Sequence, residues 1–177
     1  MSKEGKEILI FVLVVFFIYF SMTYLTNKVF FLCRVQQTSM EETLLPNEVL
    51  IGKRGTLEAK DIKRGDIVVF WGTVGEQKTF LIKRVIGLPG EHLTIKDKKV
   101  YINNSETPLN EPYAIKDMDG RKFNFENLDI PLDSVFLMGD NRPISLDSRV
   151  FGPVKINEIL GKVFFRVYPI NKFGGIK

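Results

Sequence analysis

The stretch RGDIVVFWGTVGEQKTFLIKRVIGLPGE, residues 64–91, decides the fold. Two runs rich in Val, Ile and Phe flank a short segment that contains Gly75, and a Pro-Gly pair follows the second run. β-Branched and aromatic residues bounded by glycine and proline predict the two strands of a hairpin. Lys83 interrupts the second strand between Ile82 and Val85, so a charged group occurs where the pattern is otherwise apolar.

Lys83 allows a structural and a chemical interpretation. A lysine on an edge strand can discourage pairing between sheets, because its stem packs on apolar surface while its head reaches water. A lysine desolvated by apolar neighbours instead loses its proton more readily and can act as a base near neutral pH. The rest of the chain has to decide between these two roles.

Composition limits the classes of protein to consider. The 177 residues are 45% hydrophobic and 26% charged, which fits one globular domain with a short appendage and not a disordered chain. The net charge of +4 could favour an anionic membrane surface but is too weak to indicate nucleic acid. Cys33 and His92 are each the single residue of their type, which excludes a disulfide within the chain, a thiolate metal cluster and histidine triads. We therefore expect no metal and no cofactor.

The N-terminal region contains ILIFVLVVFFIYFSMTYL, residues 8–25, which has no charged residue. Its length approaches that of a membrane-spanning helix, it lacks a polar face, and it exceeds the apolar region of a cleavable signal peptide. We expect a retained transmembrane anchor after a short tail at residues 1–7. Residues 26–34 are predicted as a juxtamembrane segment, whose VFFLC run could lie along the interface. Basic residues occur on both sides of the span, so charge does not fix the orientation.

Residues 35–177 predict a mainly β domain with an antiparallel sheet, because short Val-, Ile- and Phe-rich runs alternate with Gly, Pro, Asn and Asp. One short helix is predicted at 155–160. Residues 103–131 are polar and contain three prolines, and are expected to form an irregular insertion. The predicted strands are 48–53, 66–71, 79–86, 91–96, 99–102, 134–138 and 161–167.

Two further segments carry candidate chemistry. Ser39 lies in QQTSMEETLLPNEVL, residues 36–50, where it could cap a helix with Glu42 or act as a nucleophile if a base removes its proton. The loop GDNRPISLDSRVFGPV, residues 139–154, is unusually rich in Asp, Asn, Arg and Ser, and could be a surface loop held by an ion pair. Without a usable histidine or cysteine partner, serine and lysine are the remaining nucleophile–base pair.

The chain resembles the type I signal peptidases, the serine–lysine dyad family. The segments that carry the resemblance occur in the family's order: the anchor, TSM, RGDIVVF, KRVIGLPGE and MGDNRPISLDSRVFG. The short chain with a single anchor is similar to the Gram-positive bacterial type. The resemblance implies an antiparallel β-sheet catalytic domain behind one N-terminal transmembrane helix. It also implies an endopeptidase on the extracytoplasmic side of the cell membrane that removes signal peptides from secretory precursors, with the lipid bilayer as its second partner.

The resemblance assigns roles to individual residues. Ser39 matches the nucleophile, Lys83 the general base, and Ser145 the serine that hydrogen-bonds and orients the amine. Asp147 and Arg149 match a structural supporting pair. The precursor would lie extended beside residues 80–82 and add a strand to the sheet. The residues expected to line shallow pockets for small side chains at the third and first positions before the cleaved bond are Val35, Met40, Leu44, Leu81 and Ile82.

One position departs from the family pattern. Glu42 stands where the family usually has proline, which removes a constraint on φ and adds a carboxylate that could stabilise the protonated form of Lys83. The alternative is therefore a signal-peptidase-like assembly factor for pili or surface proteins, with restricted or no peptidase activity and with pilin or other surface-protein precursors as partners. Retention of Ser39, Lys83 and Ser145 favours an active peptidase.

Overall fold

The structure is a computed structural model that describes residues 2–55, 57–115 and 125–176. It begins with helix α1, Lys3–Tyr24, in which no residue is buried against the rest of the protein. Among the described residues this is the one helix that is long and apolar enough to cross a membrane, with a mean hydropathy of 2.2. A π-helical turn, Leu25–Val29, leads from α1 directly into the first strand, so the domain follows the helix without a linker.

The remainder of the described chain is mainly antiparallel β-structure, as the sequence predicts. One sheet has eight strands, in the order β1-β2-β10-β3-β4-β8-β9 with β11 paired to β10, and a second has the order β6-β5-β7. The strands are β1 (Phe30–Arg34), β2 (Val49–Arg54), β3 (Ile67–Val74), β4 (Gln77–Gly87), β5 (His92–Lys96), β6 (Lys99–Ile102), β7 (Phe125–Asp129), β8 (Ser134–Met138), β9 (Val154–Lys155), β10 (Ile159–Tyr168) and β11 (Gly174–Gly175).

All seven predicted strands are present, but the helix predicted at 155–160 is wrong. A short 3-10 turn, Ile156–Glu158, stands at its start, and β10 begins at Ile159. Strand β10 pairs on one side with β2 and on the other with β3. Lys155 pairs with Ser134 of β8 and Ile159 with Phe70 of β3, so a helix over 155–160 would remove both pairings, and sheet pairing outweighs the local preference of KINEIL for a helix.

The main sheet also begins earlier in the chain than predicted. Phe30–Arg34, expected as part of a juxtamembrane segment, is strand β1 and pairs with β2. The ring of Phe31 lies over Gly52 and Gly161, where a Cβ atom on either glycine would collide with it. These two glycines therefore fix Phe31 against the sheet, and the apolar run is partly a strand of the main sheet.

The segment predicted as an irregular insertion, 103–131, is only partly irregular. Its residues 125–129 form β7, which pairs with β5 in the small sheet, and residues 116–124 lie outside the described part of the chain. Ile86, Leu93 and Phe136 belong to the apolar cluster that joins this small sheet to the main one. The insertion is thus anchored to the domain at its C-terminal end.

A second apolar cluster lies beneath the turn that carries Ser39. Met40 and Leu44 from that turn are almost completely buried, and they pack with Val69 and Ile82 of the hairpin β3–β4. Burial of one such side chain stabilises the fold by roughly 1.5–3 kcal/mol. The turn is therefore held against one face of the β3–β4 hairpin. This is the hairpin that residues 64–91 predict.

The main sheet has two edges that face each other across an opening. Among the described strands β1 pairs with β2 alone, and β4 pairs with β8 only from Arg84 onward. The outer edge of β1 and residues 77–83 of β4 are therefore not paired with another described strand on that side. A cavity lies between these two edges, and Ser39 lines it.

Candidate active site

Ser39 sits in a tight turn that its backbone bonds define. Glu41 N–H donates to Thr38 O at 3.1 Å, and Leu44 N–H donates to Met40 O at 2.8 Å. Turn and bend geometry continues to residue 43 without forming a helix, so the helix-cap interpretation of Ser39 does not hold. The serine is 8% exposed, and the packing of the turn fixes where its hydroxyl points.

Lys83 reaches this hydroxyl from strand β4. Its Nζ donates a hydrogen bond to Ser39 Oγ at 2.7 Å and a second to Ile82 O at 3.1 Å. The side chain is 1% exposed, which excludes an edge-strand lysine whose head reaches water. The structure thus brings together, in the interior, the two residues that the resemblance names as a dyad.

Burial is also the main influence on the protonation of Lys83. It lowers the pKa of the amine from 10.5 to about 8, although the charges of Asp147 and Asp140 raise it in part. Desolvation disfavours the charged form of a lysine, so a substantial fraction of the amine is neutral near physiological pH. A neutral amine has a lone pair and can accept the proton of a serine hydroxyl.

The loop after β8 closes the site from the other side. Asp147 caps the short helix α2, Ser148–Phe151, and accepts hydrogen bonds from Arg149 Nε at 2.8 Å and Gly139 N–H at 3.0 Å. Burial alone would raise the pKa of the Asp147 carboxyl, but these donors outweigh it and hold the pKa below its usual range. Asp147 and Arg149 therefore form a buried ion pair that shapes the loop.

Ser145 is in the site but does not make the contact that the resemblance implies. Its Oγ is buried and forms no hydrogen bond of acceptable geometry, either with Lys83 or with Asp147, although it lies near enough to Asp147 to help lower the pKa of that carboxyl. A Cβ atom on Gly139 would collide both with Ser145 Oγ and with Ser39 O. Gly139 therefore allows these two serines to approach each other.

A network that the sequence did not reveal joins the nucleophile turn to this loop. Asn141 N–H donates to Ser39 O at 3.1 Å, and Thr43 Oγ1 donates to Asp140 Oδ2 at 2.5 Å. Arg84 donates to both carboxylate oxygens of Asp140, at 2.9 and 2.7 Å. Arg84 and Asp140 lie within the motifs KRVIGLPGE and MGDNRPISLDSRVFG, but only the fold shows that they pair.

Part of the segment predicted as an irregular insertion supports this network. Glu111 is 4% exposed and pairs with Arg142 of the loop, accepting from Arg142 Nη1 at 3.1 Å. The centre of the Tyr113 ring lies 4.0 Å from the guanidinium carbon of Arg84. Ile115 N–H donates to Asp140 O at 2.9 Å. No periodic pattern marks these residues in the sequence, because each contact joins segments far apart in the chain.

Glu42 does not have the effect expected from its charge. Its side chain is exposed, and the carboxylates that raise the pKa of Lys83 are those of Asp147 and Asp140. The backbone of Glu42 has φ of 91°, a value that proline cannot adopt. Glu42 in place of proline therefore changes the geometry of the turn and does not weaken Lys83 as a base.

The cavity beside Ser39 has a volume of about 530 Å³. Of the predicted pocket residues, Val35, Met40 and Ile82 line it. Leu44 and Leu81 do not line it; they are 0% and 1% exposed and belong to the apolar core, so their role in a substrate pocket stays a prediction. Successive side chains of a strand point to opposite faces, so Leu81 packs away from the face that Ile82 presents. Gln37 also lines the cavity.

Among the described residues no group of three or more His, Cys, Asp and Glu side chains is placed to hold a metal ion. Burial raises the pKa of the Cys33 thiol to about 11, so it stays protonated at neutral pH. The chemistry that the described site can perform is that of a serine hydroxyl activated by a neutral amine.

Comparisons with known proteins place this geometry in a family. A family model described as signal peptidase, peptidase S26, matches residues 6–168. Signal peptidase I of Bacillus caldolyticus is 39% identical over 148 residues, covering 78% of this chain and 80% of that protein. Signal peptidase IB of Staphylococcus aureus (strain COL) is 28% identical over 188 aligned positions, covering 98% of this chain and 94% of that protein.

Among solved structures, a signal peptidase I from Enterococcus faecalis V583 is similar, with 31% sequence identity and a TM-score of 0.44. That similarity covers 57% of this chain and 95% of the other. The family model extends over most of the sequence, including the segments that carry Ser39, Lys83 and Ser145, and the Bacillus relative also covers most of the chain. The chain therefore belongs to the signal peptidase family, peptidase S26, and is a serine peptidase.

Proposed function

We propose that this protein is a membrane-anchored endopeptidase that removes N-terminal signal peptides from exported precursors, with Ser39 as nucleophile and Lys83 as general base. The observation that carries the proposal is the 2.7 Å hydrogen bond from Lys83 Nζ to Ser39 Oγ between two buried side chains. The lowered pKa of Lys83 supports the same assignment, because a base must be neutral to accept a proton.

The reaction proceeds in two stages. Neutral Lys83 takes the proton of Ser39, the oxygen attacks the carbonyl carbon of the precursor, and the Ser39 N–H stabilises the oxyanion that forms. The protonated amine then gives its proton to the leaving amino group of the mature protein. In the second stage Lys83 takes a proton from water, the hydroxide attacks the ester, and Ser39 regains its proton as the signal fragment leaves.

Ser145, Asp147 and Arg149 would act as positioning groups. The buried Asp147–Arg149 pair fixes the loop, and Ser145 lies close enough to the nucleophile turn to orient the amine once substrate excludes water from the site. Catalytic hydrogen bonds are often long or misaligned without substrate, so the missing Ser145 bond is compatible with such a role.

The lipid bilayer is the second proposed partner. Helix α1 is exposed along its whole length and leads into β1 without a linker, which supports residues 8–25 as an anchor and residues 35–177 as the body of the catalytic domain. Precursors expose the bond to be cleaved after export, so we place the domain on the extracytoplasmic side. An anchored enzyme meets a substrate held in the same membrane at a raised effective concentration.

The non-catalytic alternative, an assembly factor for pili or surface proteins, has no described feature in its favour, since Ser39 and Lys83 are both present and in contact. Precursors of pilins or other surface proteins would be cleaved by the same chemistry if their sites fit the cavity. The family that the chain belongs to favours the broader class of secretory precursors as substrates.

The test uses the full chain in detergent with a precursor that carries a small-x-small site. Ser39→Ala and Lys83→Ala are each expected to reduce cleavage by at least about a thousandfold, since both groups act in one chemical step. Ser105→Ala and Lys53→Ala change exposed residues of the same types and should cleave at the unmodified rate. Equal processing by the Lys83→Ala variant and the unmodified protein would refute the dyad.

A further inference from the structure

The end of the cavity far from Ser39 has a different character from the end near it. Near Ser39 the wall consists of Val35, Met40 and Ile82, which suits small side chains. Beyond Ile82 the wall becomes aromatic, with Trp71 and Phe80 40% and 47% exposed. Two small side chains cannot fill a space of about 530 Å³, which lies in the range of pockets for much larger ligands.

The aromatic wall is held in place before any ligand arrives. The rings of Trp71 and Phe80 face each other with centroids 3.6 Å apart, on paired positions of β3 and β4. Phe31 forms the opposite side and is fixed by its contact with Gly52 and Gly161. Fixed rings lose little conformational freedom on binding, so they suit recognition of an apolar group.

Cations surround this aromatic wall. Lys78 Nζ lies 5.6 Å from the centre of the Trp71 ring, and the Arg54 guanidinium carbon lies 5.8 Å from the centre of the Phe31 ring. These distances are within the range of cation–π contact. The floor is therefore apolar and the rim is charged, an arrangement in which an apolar side chain is buried while its backbone stays at the surface.

The register of the hairpin fixes which part of a bound peptide reaches this wall. In β3 and β4, Val69 is opposite Ile82 and Trp71 is opposite Phe80. An extended peptide beside the free edge of β4 advances about 3.3 Å per residue and presents alternate side chains to one face. If the side chains of the first and third peptide residues before the cleaved bond occupy the end of the cavity near Ser39, the fifth side chain is the next to face the cavity. Its position along the peptide is about 13 Å from that of the first residue.

We propose that Phe31, Trp71 and Phe80 form a distal subsite for a large apolar side chain, such as Leu or Phe, at the fifth position before the cleaved bond. This inference rests on the proposed function, because Ser39 at one end of the same cavity defines where the bond lies. The subsite selects precursors whose apolar segment extends to within five residues of the cleavage site.

Trp71 is the single tryptophan of the chain, so its fluorescence reports directly on this subsite. The first experiment titrates the full-length Ser39→Ala variant in detergent with tryptophan-free peptides that carry a small-x-small site and either Leu or Gly at the fifth position. The Leu peptide is expected to shift Trp71 emission to shorter wavelength and to bind about five- to tenfold more tightly, as one apolar side chain in a partly open pocket allows.

Matched variants separate the subsite from the rest of the hairpin. Phe80→Ala, made in the same Ser39→Ala background, should reduce the preference for Leu over Gly to within about twofold. Thr73→Ala changes an exposed residue of β3 that does not line the cavity, and should retain the full preference. Thermal unfolding of each variant confirms that it is folded, and Phe80→Leu provides a milder replacement if Phe80→Ala does not fold.

Cleavage by the unmodified protein then distinguishes the two proposals. The ratio of kcat/KM for the Leu and Gly peptides should match the ratio of their binding constants, with the difference in KM and not in kcat, because the fifth residue is far from the reacting bond. Cleavage of both peptides with equal kcat/KM overturns the distal subsite and leaves the proposed function intact. Preferential binding of the Leu peptide without cleavage of either one retains the subsite and overturns the proposed function.

Discussion

Replacing Lys83 by methionine should make the protein more stable at neutral pH while abolishing its activity. The amine has a pKa of 10.5 in the unfolded chain and of about 8 in the folded protein. At pH 7 both states are mostly protonated, and holding the charge in the interior costs about 3 kcal/mol, from about 1.4 kcal/mol per pKa unit. Methionine has a similar length and no charge, so it removes this cost.

The gain in stability should depend on pH in a defined direction. Between pH 8 and 10.5 the unfolded state binds more protons than the folded state, so the stability of the unmodified protein rises with pH in this window. Removing the charge of Lys83 should increase the free energy of unfolding by about 3 kcal/mol at pH 7, before the loss of two hydrogen bonds is counted. At pH 9.5 this increase should be smaller by about 2 kcal/mol. Loss of those two bonds, at about 1 kcal/mol each, subtracts about 2 kcal/mol at either pH.

Urea unfolding of the full chain in detergent, followed by Trp71 fluorescence, measures this difference at the two pH values. Lys53→Met is the matched control, because Lys53 is an exposed lysine of β2 and its replacement should give no pH-dependent gain. A Lys83→Met variant that is less stable than the unmodified protein at pH 7, or whose gain is the same at pH 9.5, would refute the conclusion that burial disfavours the charged amine.

Four further outcomes are expected. The kcat/KM for a signal-bearing peptide should rise about tenfold per pH unit and level off near pH 8, where Lys83 becomes neutral; a midpoint near 10.5 in the pH profile would contradict the shift. Gly139→Ala should lower kcat about a hundredfold in a peptide cleavage assay, because its methyl group displaces the nucleophile turn, and unchanged kcat would show that the turn can yield. Glu42→Gly should raise the free energy of unfolding in urea by about 1 kcal/mol, since glycine adopts φ of 91° without strain, whereas Glu42→Pro should lower it. Arg166→Met should lower the free energy of unfolding in urea by about 3 kcal/mol, because the buried Glu48 carboxylate, 2.7 Å from Arg166, then has a poorer partner. Recovery of stability in the double variant with Glu48→Met would confirm that the two residues are coupled.

The strands could be predicted from the sequence because each is a local pattern. The run around Lys83 and the run at residues 134–138 are rich in β-branched and aromatic residues and end at Gly, Pro or Asp, which is sufficient to locate them. The predicted helix at 155–160 failed for a non-local reason, since Lys155 pairs with β8 and Ile159 pairs with β3, and no local pattern reveals either partner. Strand β1 was missed because its apolar residues continue those of the N-terminal apolar helix.

In the site, only the residues that belong to sequence motifs could be predicted. Ser39, Lys83 and Ser145 were found by resemblance, and two of the three are in direct contact in the structure. The Glu111–Arg142 pair could not be found, because an acid in a polar, proline-containing segment has no signal until the fold brings it to a buried arginine. The aromatic distal wall was missed for the same reason, since Phe31 and Phe80 are neighbours only across the sheet opening.

The position of the cavity relative to Ser39 has a consequence for turnover. On the proposed mechanism the described contacts lie on the side of the bond that becomes the signal fragment, from Val35 next to Ser39 to Trp71 at the distal end. The mature protein therefore leaves with few contacts to break, whereas the signal fragment keeps every contact that the substrate had. On this mechanism, release of the signal fragment clears the enzyme for the next precursor, so we expect release and not chemistry to limit turnover when the fragment accumulates.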